Sequence, residues 1–238
     1  MRRLFTLDGP VMSALSKFAD LVFLNILFII CCLPIVTIGA STTALYYVTL
    51  KMARDEESYI FKSFFKSFVM NLKQATVIWL LILVIAGVLV ADFMIMSGRL
   101  GDFQSLPEII SKAMNVIFMM VLVAVTFVAT YVFPLLAKFD NTIGNTIKNA
   151  LLMSIRHFPY SILMIIVNVV PLVIINIFLP AFILIVIIFA LSAFINSHFL
   201  AKIFDIYLPK EEEIVEDSEF SISQDEGDVL IKSEEDRS

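Results

Sequence analysis

The chain has 238 residues, is 60% hydrophobic and only 16% charged, and contains 22 Phe but a single Trp. Soluble domains run at roughly 45–50% apolar and about 25% charged, so this composition excludes an ordinary soluble domain and points to one that uses lipid as solvent. The formal net charge of −5 is a composite. Residues 1–208 hold 14 Lys and Arg against 10 Asp and Glu, whereas residues 209–238 hold 3 against 12.

The first apolar run covers residues 18–36 and follows Arg2 and Arg3. It starts late for a signal peptide and more runs follow, so it reads as a retained membrane anchor. Cys31 and Cys32 are adjacent inside it, a spacing that suits neither a disulfide framework nor a metal site. Residues 75–97 and 113–137 are long enough to cross a bilayer core of about 30 Å, which takes about 20 apolar residues. Residues 159–204 are too long for one crossing and read as two, with Leu179 and Pro180 as the turn between them.

The segment at 40–53, ASTTALYYVTLKMA, is short for a span. Charge decides its treatment. With six crossings and both ends inside, 15 Lys and Arg fall on the cytoplasmic side and only Arg99 and Lys112 outside, as the positive-inside rule requires. Without this crossing the asymmetry collapses. The expected fold is therefore an all-α polytopic bundle of about six transmembrane helices, the second short or re-entrant.

Two basic segments carry an amphipathic period. In SYIFKSFFKSFVMNLK, Phe61, Phe64, Phe65, Phe68 and Leu72 share a face, with Lys62, Lys66 and Lys73 around them. In NTIGNTIKNALLMSIRHF, Ile143, Ile147, Leu151 and Ile155 recur every four residues. Both are expected to be cytoplasmic interfacial helices resting in the headgroup layer. Their surroundings match at an offset of 84, slipping to 83. Tyr47, Arg54 and Glu56 correspond to Tyr131, Lys138 and Asp140, and Lys73-Gln74 corresponds to Arg156-His157. This pattern suggests a parallel internal duplication of the kind transporters use. Residues 1–208 form the membrane domain, and the acidic residues 209–238 a disordered cytoplasmic tail.

Residues 33–76, LPIVTIGASTTALYYVTLKMARDEESYIFKSFFKSFVMNLKQAT, and residues 142–159, TIGNTIKNALLMSIRHFP, resemble the YesL family of bacterial membrane proteins. The resemblance covers most of residues 10–208. It implies a bacterial cell-membrane protein without established activity, associated with carbohydrate uptake and breakdown.

No metalloprotease, nucleophile-elbow or phosphate-loop signature occurs, and the two histidines, His157 and His198, stand apart, so an enzyme is not expected and no cofactor or metal is implied. Polar residues inside spans are the places to look for function. Pro34 and Gly39 suggest a broken helix, after which Ser41 and Thr42 offer hydroxyls at a helix start. With Thr37, Asn25 and Asn168 they make the candidate ligand set. Asn176, Asn196 and Asp92 are weaker candidates, because Asn often joins helices. Two functions stay open: a non-enzymatic accessory or regulatory component of carbohydrate uptake, or a small-solute transporter or channel for a sugar or anion. The partners implied are the lipid bilayer and a carbohydrate transporter or signalling membrane protein, with no role for nucleic acid.

Overall fold

Helix α1 spans Pro10–Cys32. Its proline stands at the first helical position, where a fixed φ and a missing N–H cost nothing. The helix stops before Leu33-Pro34, because a residue preceding proline is driven out of the helical region. A 3-10 turn at Ile35–Thr37 leads directly into α2, Ile38–Ala53. The chain then reverses at Asp55, whose φ of 54° is one that Asp tolerates. Helix α3 follows at Ile60–Met96, α4 at Glu108–Lys138, α5 at Ile143–Arg156, α6 at Phe158–Ile177 and α7 at Ile188–Asp205. This computed structural model describes residues 10–56, 59–96, 108–177 and 187–208, and no strand occurs among them. The turn expected at Leu179 and Pro180 and the acidic tail lie outside the described residues.

Four helices carry windows long and apolar enough to cross a membrane: Leu15–Cys32, Ile60–Ile95, Lys112–Lys138 and Ile188–Asp205. A fifth crossing arises if α5 and α6 count as one broken span, bent by 103°. Helix α2 has 16 residues, about 24 Å at 1.5 Å per residue, which is short of the bilayer core. It is nonetheless the most enclosed element. Gly39, Ala40, Ser41, Thr43, Ala44, Leu45, Tyr46, Val48, Thr49 and Leu50 are all buried. It packs most extensively on α3, then on α4 and α1. Small side chains on every face let neighbouring backbones approach closely, the usual basis of helix association in lipid.

Only one of the two expected surface helices exists as a separate element. Residues 143–156 form α5, but the Phe- and Lys-rich segment from residue 60 is the opening of the 37-residue α3. Nothing between Lys73 and Thr76 breaks the hydrogen-bond ladder, whereas Pro159 has no N–H to offer the Ile155 carbonyl, so α6 must restart there. Nor does α5 rest alone on a surface. It packs along α4 through Thr146, Ala150, Met153 and Ser154, while Leu151, Leu152 and Ile155 face outward. The outer parts of α3 and α4 behave likewise, leaving Val84, Val88, Phe93, Met119 and Met120 exposed. Small and hydroxylic residues inside with large apolar ones outside is the arrangement lipid allows.

Residues 1–201 form one unit and residues 202–238 a second. The described part of the second, 202–208, holds the last helical turn and a tight turn closed by Ile206 and Tyr207 N–H groups on the Ile203 and Phe204 carbonyls.

Candidate functional site: an intramembrane cavity with a polar wall

A cavity of about 440 Å³ lies among α1, α2, α4, α6 and α7. Phe28, Val125, Phe133 and Phe189 give it an apolar lining, while Thr42, Tyr46, Thr126, Thr130, Asn168 and Ser192 supply its polar groups. This is the usual make-up of a small-molecule site: apolar walls with a few placed hydrogen-bonding groups. Among the described residues no cationic or anionic side chain lines it. The exposure of Thr126, Val169 and Phe189 shows that it opens sideways.

Most of the polar groups are already engaged. The hydroxyls of Thr42, Thr126 and Thr130 donate to the carbonyls of Ile38, Leu122 and Thr126, at 2.8, 2.8 and 2.9 Å. Each threonine thereby spends its proton on its own helix and keeps oxygen lone pairs for an acceptor role. Ser192 donates across to the Val167 carbonyl at 3.4 Å. Pro134, inside α4, has no N–H, so the Thr130 carbonyl lacks its usual helical donor.

Behind this wall lies a polar junction of three helices. Asn196 of α7 donates through Nδ2 to Asn168 Oδ1 of α6 at 3.0 Å and to the Tyr46 hydroxyl of α2 at 3.4 Å. One turn further along α2, the Thr49 and Ser197 hydroxyls share a hydrogen bond of 2.8 Å. The Asn196–Tyr46 and Thr49–Ser197 contacts are shielded from water, where an unmade bond costs more than the made one gains. Asn196 Oδ1 is buried without a partner.

The six candidate ligand residues divide accordingly. Thr42 and Asn168 reach the cavity. Asn25 does not, because its Oδ1 accepts the Ala190 N–H at 3.0 Å, satisfying one of the orphan donors at the start of α7. Thr37 locks the turn by donating to the Cys31 and Pro34 carbonyls at 2.7 and 2.8 Å. Trp79 braces the same turn through a 2.8 Å bond to the Ile35 carbonyl. Ser41 is buried, with its hydroxyl against the Cys32 thiol rather than in the cavity.

Gly39 is helical rather than a turn hinge, and its importance is space. A Cβ there would come within 2.6 Å of the Ala75 carbonyl oxygen, 2.7 Å of Trp79 Cβ and 3.1 Å of the Phe133 ring. Asp92 and His198 lie outside the cavity lining; His198 Nδ1 is 3.0 Å from the Phe194 carbonyl oxygen. The side chain of Asn176 lies outside the described residues. Among the described residues no three His, Cys, Asp or Glu side chains converge on a metal position.

Sequence reasoning passed over Tyr46, Thr126, Thr130 and Ser192. A signal was present. Thr42 and Tyr46, Thr126 and Thr130, and Ser192 and Asn196 are each spaced by four within an apolar run, which puts each pair on one helix face.

A family model described as a protein of unknown function, DUF624, matches residues 21–93, from α1 through α2 to the last turns of α3. No curated protein and no solved structure matches the chain.

Proposed function

We propose that the protein is a non-enzymatic accessory or regulatory component of a carbohydrate-uptake system in the bacterial cell membrane, with both termini in the cytoplasm. The observation that carries this reading is the engaged state of the cavity wall. Its threonine hydroxyls are bound to their own helices, Ser192 and Tyr46 bond across helices, and its amide joins the α2–α6–α7 junction, so ligand occupancy there would set how those helices pack. The resemblance to the YesL family supplies the link to carbohydrate uptake. Affinity purification from native membranes tests it. Co-purification of a carbohydrate transporter or membrane sensor is expected, and repeated recovery of this chain alone would overturn the reading.

A second reading, transport of a small neutral solute, is favoured by the single cavity that joins Thr42 to Asn168. An anion finds no cation among the described residues of the lining, which favours hydroxylated neutral solutes such as sugars. Proteoliposomes should then accumulate a labelled sugar, with Thr42→Val and Asn168→Leu each lowering uptake. Absence of uptake across a broad sugar panel would discard this reading.

A further inference from the structure

Hydrogen-bonding capacity is unevenly divided on the wall of the 440 Å³ cavity. Thr42, Thr126 and Thr130 give their protons to the carbonyls of Ile38, Leu122 and Thr126, and Ser192 gives its own to the Val167 carbonyl. Each oxygen keeps lone pairs, so toward a ligand these four hydroxyls act as acceptors. On the donor side, Asn196 commits its Nδ2 group to Asn168 Oδ1 and the Tyr46 hydroxyl, which leaves Asn168 Nδ2 and the Tyr46 proton as the donors of the lining. A single group that both donates and accepts meets this wall, and an alcohol hydroxyl is such a group. We propose that the cavity binds a long-chain alcohol dissolved in the bilayer, its one hydroxyl among Thr42, Thr126, Thr130 and Asn168 and its chain along the apolar wall. The proposal rests on the reading that occupancy of this cavity is what the protein responds to, and it names the occupant.

Depth and access both select such a ligand. Thr126 lies 18 residues after Glu108 and 12 before Lys138, about 27 and 18 Å from the ends of α4 at 1.5 Å per residue. The site is therefore well inside the apolar layer, where a charged ligand needs a counter-ion. Among the described residues the lining offers none, and residues 178–186 between α6 and α7, FLPAFILIV, carry no polar side chain to add one. The side opening is bordered by apolar surface. Leu122, one turn before Thr126, and Ile166 and Val173, a turn to either side of Val169, are exposed on the faces that carry the exposed lining residues. Such a surface faces acyl chains, so the way in is from the bilayer. A sugar is the poorer fit, because most of its hydroxyls would be buried against Phe28, Val125, Phe133 and Phe189, and each one left unmatched is penalised. A single hydroxyl on an apolar chain avoids that penalty. The volume is within the range of about 300–1,000 Å³ usual for ligand pockets, and the rest of a long chain can lie in the side opening.

The test uses the full chain in phosphatidylcholine nanodiscs with a hexadecanol that carries a photoreactive diazirine on its chain. Cross-links mapped by mass spectrometry should fall on cavity residues such as Phe28, Val125 and Phe189, and unlabelled 1-hexadecanol should compete for them. Hexadecyl methyl ether, which accepts but cannot donate, should compete roughly tenfold less well, and glucose should not compete. In Thr42→Val/Thr126→Val/Thr130→Val, which keeps the side-chain shapes, the alcohol should lose its advantage over the ether to within about threefold. Ala129→Phe, which fills the cavity, should abolish the cross-links on Phe28 and Phe189. The comparison of alcohol with ether needs no variant, so it stands even if either variant fails to fold. Equal competition by the ether, displacement by glucose, or cross-links confined to the outward faces of the helices overturns the proposal. The affinity purification is independent of it. A partner recovered without alcohol binding removes the ligand alone, and alcohol binding without a partner removes the uptake role alone.

Discussion

The two stretches whose residues match at an offset of 84, slipping to 83, fold differently. In the first stretch, short α2 turns back into α3, which runs unbroken for 37 residues. In the second stretch, 31-residue α4 turns back into α5, and the chain then bends by 103° before α6. Both are antiparallel helical hairpins with basic turns, and both present small residues inward. What differs is a single punctuation mark: Pro159 in one stretch, Thr76 at the corresponding place in the other. Backbone chemistry at one residue thus decides whether a shared topology yields a long straight helix or a broken one. The straight stretch lets Gly39 dock against α3, and the broken stretch turns α6 so that Asn168 meets α2 and α7.

The sharpest way to break this comparison is to exchange the punctuation. Thr76→Pro should remove a helical hydrogen bond and clash with the Leu72 carbonyl, costing about 3 kcal/mol or more. Pro159→Thr should cost less than about 1 kcal/mol, because proline in a first turn blocks nothing. Thermal unfolding in detergent micelles reads both, and equal effects would refute the account of the bend. Next in size is Gly39→Ala. Its added methyl meets a backbone oxygen that cannot rotate away, so a loss of about 1–3 kcal/mol is expected. The corresponding position in the second stretch, Val123, is exposed, and Val123→Ala should stay within about 0.5 kcal/mol.

The paired tyrosines should separate by a smaller margin. Tyr131 is fully buried and its hydroxyl shares a 2.9 Å bond with Ser161, so Tyr131→Phe should cost about 1 kcal/mol. Tyr47→Phe keeps the ring under Lys51 and should be near neutral in the same melting assay. The smallest effect is the Lys17–Asp55 pair. Hydrogen bonding and charge from Lys17 hold the Asp55 carboxyl below its ordinary range. Its contribution is therefore present above the unfolded carboxylate pKa and is lost as pH falls through the lowered folded one. Both groups are exposed, so only a slight acid-limb shift is expected. It should vanish in Asp55→Asn and in high salt.

Much of the architecture was legible because lipid leaves few choices. Long apolar runs must be helices, since unpaired backbone groups are not tolerated in a bilayer, and α1 and α4 lie close to where hydropathy puts them, while α3 begins well before its apolar run, at Ile60. The length of α2 was legible too, though its place as the most enclosed helix was not. The candidate site was only partly readable. Thr42 and Asn168 stand out as polar residues in apolar surroundings, but so do Asn25, Thr37 and Ser41. The sequence carries no sign that Asn25 caps a helix that begins 163 residues later, at Ile188.

The amino-acid sequence alone determined that this chain is a helical membrane protein and where its long apolar runs lie, because hydropathy acts through local runs. Only the tertiary structure decided which polar residues face a cavity and which are spent joining helices. Those outcomes depend on distances between helices far apart in the chain, and no local pattern encodes them.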